Sequence, residues 1–426
     1  MELAILFGVF TALLVIGTPV AFCLGISSLA TVLYMGLPAI VVFQQLNSGM
    51  NSFAMIAIPF FIYSGDMMIR GGIADRLIRF AAGLVGHLRG GLGQVNIVAS
   101  TFFGGVSGSA IADASAVGGI MIPQMEKRGY AKDYAVNVTV NAAIIALLVP
   151  PSHNMIIYSI AAGGTVSVAD LFTAGIVPGI LLALALMVTA YVVAVRRGYP
   201  SERFPGVATV FGYFLTAFPG LLLIGLIFGG VRSGVFTAAE SSCIAVLYAL
   251  LITTLVYREL DWSGFIEATL GAVRTTAMVL LVIGTASSFG WLMAFLQVPQ
   301  TAIDAMKSVS ENPIVILLLI NIALLVLGTF MDMAPMIIIC TPIFLPVVKA
   351  FGVDPLHFGI ILILNAGIGL NTPPVGSVLF VGCAVGKISI GEAMRTIWPF
   401  LGASVAVLLL ITYVPGLTLW LPALFR

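Results

Sequence analysis

Long apolar runs recur along the whole chain, and none alternates as a strand would. Stretches near 2–18, 20–36, 51–69, 132–162, 171–195, 209–230, 236–257, 270–295, 355–386 and 398–420 carry few polar residues. Each approaches or exceeds the roughly 20 residues that a helix needs to cross a bilayer. Lipid-facing strands would instead read as short dyad repeats, so the pattern predicts spanning helices. Two longer stretches, 90–126 and 313–350, hold enough apolar residues for a span and a half, each with a Gly-rich or polar interruption. These predict two re-entrant helical hairpins, which are tolerated at membrane depth only inside protein or around a cavity. In 71–88, Ile73, Leu77, Phe80, Leu84 and Leu88 recur at helical spacing, with Arg76, Arg79 and His87 elsewhere around the helix. Such a helix lies in the membrane interface. Residues 297–311, with Ile303, Met306 and Lys307, form a weaker counterpart.

Composition agrees. Charged residues make up 8% of the chain and hydrophobic residues 60%, with a mean hydropathy of +1.16. Soluble domains carry roughly 25% charged residues. A surface this poor in charge belongs in a lipid bilayer, and neither soluble catalysis nor nucleic-acid binding fits it. Cys23, Cys243, Cys340 and Cys383 sit singly in apolar stretches and read as small buried hydrophobes. The run from Leu3 to Val15 follows Glu2 without a basic leader or an A-x-A site, and so reads as a retained first helix.

The few charges carry the topology. If both hairpins return to their own side, one side receives fourteen basic residues, from Arg70, Arg76 and Arg79 through Arg196 and Arg197 to Lys387 and Arg395. The other side receives Arg232, Lys307, Lys349 and Arg426. That asymmetry follows the positive-inside rule, which puts both termini on the extracytoplasmic side.

An internal repeat emerges when the chain is slid against itself, without a gap, until Gly105 meets Gly328. In that register Pro123 meets Pro346, Gly129 meets Gly352, Pro150-Pro151 meets Pro373-Pro374, and Gly163 meets Gly386. The helix breakers coincide. With an odd number of crossings between them, the copies are inverted, and inverted repeats with broken helices mark secondary transporters. Each copy supplies two breaks. The first has the tip Gly104–Ser109 and the interruption Val149–Ser152; the second has Gly328–Asp332 and Gly369–Ser377. Proline frees the carbonyl one turn earlier, and glycine permits close backbone approach. Freed carbonyls with Ser, Thr or Asn oxygens suit a hard cation such as sodium, and inward-pointing helix N-termini suit an anion. Two cation sites flanking one anionic substrate are therefore expected.

At these residues the chain resembles the large membrane subunit of tripartite ATP-independent periplasmic (TRAP) transporters. The resemblance runs through Ala57–Phe61, Gly90–Leu92, Ser107–Asp113, Pro150–Ser152, Phe236–Glu240, Met331–Pro335 and Asn371–Gly376. It departs in one segment: the family's F-T-P-T-E reads Phe236-Thr237-Ala238-Ala239-Glu240 here. The resemblance implies sodium-driven symport of an organic acid of the carboxylate class into the cell, across a bacterial or archaeal cytoplasmic (inner) membrane. It implies two protein partners, a separate small four-helix membrane subunit and a soluble periplasmic binding protein that delivers the substrate. It also implies an elevator mechanism, no enzymatic activity, and no cofactor beyond sodium as coupling ion.

The fold expected is an all-α integral membrane protein with inverted repeats, two re-entrant hairpins and two Pro-Pro-interrupted helices. The expected division is 1–89, scaffold and interfacial arm; 90–170, first transport repeat; 171–312, scaffold and arm; 313–390, second transport repeat; and 391–426, C-terminal scaffold helix. Sodium is expected at Gly105, Ser107, Ser109, Val149, Pro150, Gly328, Asp332, Asn371 and Thr372. The substrate is expected at Ser109, Ser152, Asn154, Gly376 and Ser377, with Asp113 and Asn141 in support. Glu240 reads as a helix-dipole partner, and His153 as a polar loop residue.

Two rival functions compete with this reading. Gly105-Val106-Ser107-Gly108 satisfies G-x-S-G, a nucleophile setting in intramembrane serine proteases. Hydrolysis would need a histidine to take the Ser107 proton, and only His153 is placed to do so. That reading explains neither the repeat nor the second pair of breaks. A stand-alone sodium–carboxylate symporter, needing no binding protein, is the nearer alternative.

Overall fold

The computed structural model describes residues 1–373 and 376–425. Pro374 and Val375, part of the second interruption, and Arg426, one of the sorted charges, lie outside the described residues. The chain opens with α1 (Glu2–Val15), α2 (Val20–Tyr34), α3 (Ile40–Met50) and α4 (Ala57–Arg70). α5 (Ile73–Val85) leads into a first helix–turn–helix, α6 (Gly91–Ser107) and α7 (Ala110–Lys127), then a broken helix, α8 (Lys132–Ala143) and α9 (His153–Ala161). Next come α10 (Val168–Arg196), α11 (Val207–Arg232), α12 (Ala238–Leu251), α13 (Trp262–Phe295) and α14 (Val298–Val309). A second helix–turn–helix, α15 (Pro313–Gly328) and α16 (Met333–Ala350), precedes a second broken helix, α17 (Pro355–Gly369) and α18 (Ser377–Gly386). α19 (Ile390–Met394), α20 (Trp398–Tyr413) and α21 (Gly416–Leu424) close the chain. Every described element is helical.

Several spans differ from the sequence pattern. Among the described residues six helices are long and apolar enough to cross a membrane alone: 53–70, 168–196, 207–232, 238–256, 262–295 and 333–350. α20 and α21 become a seventh if counted together, although they bend by 61° at Pro415. α1 and α2 have only 14 and 15 residues, because Gly17 and Gly36 take positive φ and stop them early. α3 has no counterpart in the apolar pattern, since Gln44, Gln45, Asn47 and Ser48 interrupt it. α13 starts at Trp262 rather than near 270, because Asp261 caps its N-terminus through the Gly264 N–H.

The repeat extends through the secondary structure. The register that pairs Gly105 with Gly328 carries α7 onto α16 with identical bounds, and the start of α8 onto the start of α17. The broken helices run antiparallel. At one end, a Cβ on Gly359 of α17 would lie 2.4 Å from the Tyr158 ring of α9. At the other, Gly382 and Gly386 of α18 press against Val140 and Val136 of α8. Glycine here lets two helices approach more closely than any side chain allows.

Ion pairs respect the two sides. Arg70–Glu267, Arg76–Glu259, Arg128–Glu202 and the bidentate Arg197–Asp133 pair each tie a basic residue of the richer side to an acid in a segment that ends beside that side's basic residues, and Arg232–Asp170 ties one of the other side. The amphipathic pattern in 71–88 is realised as α5, which buries Ile73, Leu77 and Phe80 against α6 and α11 but leaves Leu84 exposed. α14, its counterpart, packs on α16 and buries no residue fully.

Candidate functional site

The first break is assembled by backbone proximity. α6 ends at Ser107, and Gly108, at φ +59°, turns the chain in a conformation that side-chain-bearing residues rarely adopt. A Cβ there would lie 2.7 Å from the Pro151 carbonyl oxygen, so the tip rests directly on the interruption. Asn154 Nδ2 donates to the Gly108 carbonyl at 3.3 Å. Ser109 caps α7 by accepting from the Ala112 N–H, and Ser107 Oγ accepts from the Ser109 N–H. Across the interruption, Ile144–Leu147 tighten into a 3-10 turn and the Pro150–Pro151 bond is cis. One turn before the tip, a Cβ on Gly104 would lie 2.6 Å from the Ala146 Cα.

The second break repeats this arrangement. A Cβ on Gly369 would lie 2.6 Å from the Gly328 Cα and 2.8 Å from its carbonyl oxygen. The repeat register carries Ala146 onto Gly369, while the tip residue that crosses it is Gly104 in one repeat and Gly328, the counterpart of Gly105, in the other, so a similar backbone crossing is built twice with an offset of one residue. Asp332 caps α16, with Oδ1 accepting from the Met333 N–H at 2.9 Å and from the Ser377 hydroxyl at 3.4 Å. Asp332 is exposed rather than sealed in apolar surroundings. Thr372 donates to the Ile368 carbonyl at 2.9 Å, and Gly376 is held against the Leu370 carbonyl.

The two breaks touch. Asn371 Nδ2 donates to the Val140 carbonyl of α8 at 2.7 Å. Gly367 faces Ile144 and Leu147 of the first interruption. The structure thus gathers Ser107, Ser109, Val149, Pro150, Ser152 and Asn154 at one break, and Gly328, Asp332, Thr372, Gly376 and Ser377 at the other, with Asn371 between. Gly105 is the exception in orientation: its open side faces Ile224 of α11. Asp113 and Asn141 are fully buried behind the first break. Ser152 Oγ and the Asn371 Oδ1 are buried acceptors with no hydrogen-bond partner. His153 Nδ1 likewise has none, so no Ser107–His153 pair is formed.

Chemically the breaks offer carbonyl, hydroxyl and amide oxygens, and the second adds the Asp332 carboxylate; oxygen ligands of this kind suit hard cations. Among the described residues no group of three His, Cys, Asp or Glu could hold a metal ion. Glu240 closes a capping box with Thr237, which accounts for Phe236–Glu240 as a helix start. Sequence pattern also misses a cavity of about 490 Å³ between α3 and α13 on one side and α9 and α16 on the other. Ser48, Ser52, Ser159 and Ser287 give it hydroxyls, with Gly163 and Gly290 widening it. None of the expected substrate residues lines it. Ser48 and Ser52 lie in and just after the polar end of α3, Ser159 in α9, and Ser287 beside Ser288 in α13, and no shared spacing announces them.

Residues 7–417 match the family described as the DctM component of the tripartite ATP-independent periplasmic transporter. An uncharacterized protein of Salmonella typhimurium, YgiK, is 47% identical over 99% of this chain and 97% of its own length. The sialic acid TRAP transporter large permease protein SiaM of Vibrio cholerae is 41% identical, covering 97% of this chain and 96% of that one. In fold, the chain is similar to the YdaH transporter of Alcanivorax borkumensis, with a TM-score of 0.63 and 12% identity over 89% of each chain.

Proposed function

The chain belongs to the DctM component family of tripartite ATP-independent periplasmic transporters, and from that premise we propose that it is the sodium-coupled membrane permease for a small organic acid. The observation that carries the proposal is the pair of antiparallel breaks, each made of a helix tip resting on an interruption, joined by Asn371. In this reading the first break holds one sodium ion on Ser107, Ser109, Val149 and Pro150, with backbone oxygen from Gly105. The second holds another on Gly328, Asp332, Asn371 and Thr372. Ser109, Ser152, Asn154, Gly376 and Ser377 face the acid between them, and Asp113 and Asn141 brace the first tip from behind. The substrate class is a carboxylate; the similarity to a sialic acid permease supports this, since sialic acid carries a carboxylate.

Transport proceeds by alternating access of an elevator type. Segments 90–170 and 313–390 move as one unit, with the hairpins re-entrant, against a frame of 1–89, 171–312 and 391–426. α10 and α20 sit at the border, packed on each other and on both repeats. The serine-lined cavity between α3, α13, α9 and α16 lies on that boundary and widens into the entry path. A separate small membrane subunit and a periplasmic binding protein complete the transporter, in the bacterial inner membrane.

The test is reconstitution in proteoliposomes. Uptake of a carboxylate is expected only with the chain, the small subunit, a loaded binding protein and an inward sodium gradient together. Uptake by the chain alone overturns the tripartite reading in favour of a stand-alone symporter. Uptake that ignores the sodium gradient overturns the coupling.

A further inference from the structure

On the side rich in basic residues, the ends of α6, α10 and α11 meet at one backbone junction. Gly90, just before α6, takes φ +67°. Its N–H donates to the Pro200 carbonyl at 3.1 Å, and a Cβ on it would lie 2.3 Å from the Ala194 Cβ of α10. Close by, the His87 and Phe204 rings meet edge to face with centroids 5.4 Å apart. These contacts fold the segment 197–206, which joins α10 to α11, over the start of α6. Three arginines surround the junction in the sequence: Arg89 beside Gly90, Arg196 two residues after Ala194, and Arg203 beside Phe204. All three are exposed.

Charge at this junction is unbalanced. The acids around it are committed elsewhere: Glu202 to Arg128, Asp133 to Arg197 in a bidentate pair, Glu126 to Lys132, and Asp75 to Arg79. Among the described residues, Arg89, Arg196 and Arg203 have no acidic partner. Apolar surface lies directly beside these cations. Val192 and Val195 on the last turns of α10, Phe204 on the joining segment, and Val207 and Phe211 on the first turns of α11 are exposed, Val207 at 77%. Both α10 and α11 are long and apolar enough to span a membrane. Their ends therefore stand where acyl chains give way to headgroups, a level that long basic side chains reach from a helix end.

We propose that this junction binds one anionic phospholipid of the cytoplasmic leaflet, with its phosphodiester among Arg89, Arg196 and Arg203 and its acyl chains along Val192, Val195, Val207 and Phe211. A guanidinium matches phosphate oxygens with paired N–H donors, and basic pockets between spanning helices on the cytoplasmic side favour anionic headgroups. A soluble anion would satisfy the arginines and leave the apolar surface uncovered. A zwitterionic lipid would cover that surface but bring its own cation to the three arginines. Gly90 is what builds the site. Only a residue without a side chain lets α6 start against Ala194, and that contact brings Arg89 to the ends of α10 and α11. None of the residues proposed for sodium or for the acid takes part, so the site stands or falls independently of the proposed transport function.

The experiment is native mass spectrometry of the full chain in detergent, titrated with phosphatidylglycerol and with phosphatidylcholine of the same acyl chains. The first phosphatidylglycerol is expected to bind at least about tenfold more tightly than phosphatidylcholine. The triple variant Arg89→Gln, Arg196→Gln, Arg203→Gln is expected to lose that preference. A control, Arg258→Gln, Arg274→Gln, Lys387→Gln, removes the same charge from elsewhere on that side and is expected to keep it. Glycerophosphoglycerol, the headgroup without its chains, is expected not to displace the lipid. Should the first triple variant fail to fold, Arg203→Gln alone, on the exposed joining segment, is expected to weaken phosphatidylglycerol about fivefold. Equal binding of the two lipids, a preference untouched by the arginine substitutions, an equal loss in the control, or displacement by the free headgroup overturns the proposal.

Discussion

Gly369→Ala tests whether the second break works as a backbone crossing. The added Cβ would sit 2.6 Å from the Gly328 Cα, 2.7 Å from its carbonyl carbon and 2.8 Å from its oxygen. Ordinary contact begins near 3.4 Å, so two backbones must part by close to an ångström, and no side-chain rotation relieves them. Overpacking of this kind costs about 1–3 kcal/mol, against about 1 kcal/mol gained by placing Ala rather than Gly in a helix. The net strain, up to about 2 kcal/mol, is released by opening the break where sodium is proposed to bind. At about 1.4 kcal/mol per factor of ten, sodium affinity is expected to fall by up to about 30-fold. The assay is sodium titration of thermal stability in detergent, and Gly119→Ala is the control, since nothing lies within 4 Å of a Cβ there. Gly104→Ala, whose Cβ would meet the Ala146 Cα at 2.6 Å, is expected to repeat the loss at the first break. If Gly369→Ala binds sodium as tightly as Gly119→Ala, the crossing does not shape a cation site.

Other expectations follow from single contacts. Asp332→Asn keeps the cap on α16, because Asn caps nearly as well as Asp; fold is expected to survive while sodium-dependent uptake drops at least about tenfold, and equal uptake would place the cation elsewhere. Asn371→Ala removes the bond to Val140 that joins the breaks; the Hill coefficient for sodium should fall toward one, and an unchanged coefficient would show the sites to be coupled by other means. Arg197→Ala leaves Asp133 with half-buried oxygens and one fewer partner, so a loss of about 1 kcal/mol is expected after discounting for solvent, read as a lower melting temperature that high salt narrows. The backbone N–H of Ser389, and then its hydroxyl, hold the Glu392 carboxyl below its usual range. A depressed carboxylate stabilises above its unfolded value and loses that stabilisation as pH falls through the folded one. Hydrogen exchange across 389–395 should therefore quicken on acidification, and Glu392→Gln should weaken that dependence.

How much of this is legible depends on whether a feature leaves residues that break a pattern. Gly108, Pro150, Gly328 and Asn371 interrupt helices, and the register shared by the breakers locates both breaks and pairs them. The shared bounds of α7 and α16 follow from that register. The antiparallel packing of α8–α9 on α17–α18 is readable only as an inverted repeat, because its contacts use Gly359, Gly382 and Gly386, which in sequence look like ordinary small residues of a membrane helix. α3 is invisible, since its polar second half resembles a loop. The cavity is invisible too: four serines scattered over α3, the segment after it, α9 and α13 become a lining only when α3, α9, α13 and α16 are brought together. Asp332 misleads in its surroundings. A carboxylate in an apolar stretch suggests an unpaired acid at membrane depth, yet it is exposed, and a helix N-terminus and Ser377 satisfy one oxygen.

The two repeats share a backbone but divide their chemistry. Both tips cross their interruptions at contacts no side chain would permit, so the backbone carbonyls there are fixed by geometry that sequence drift cannot easily change. Side chains are free to differ, and they do. The second repeat keeps Asp332 at the exposed tip, on the end of α16, and packs Leu, Ile and Met around the bonded pair Asn365–Asn321 and the buried His357. The first has serines at the tip and keeps Asp113 inside, fully buried, with no hydrogen-bond partner on either carboxylate oxygen. Under the proposed function, two equivalent crossings thus end in unequal electrostatic surroundings, one neutral and one negative. A cation entering the second break meets a charge, whereas one entering the first meets only dipoles. Because Asn371 bonds the two breaks together, the proposed function implies that filling the charged break orders the neutral one, so that a symmetric scaffold would bind its ions in a defined order.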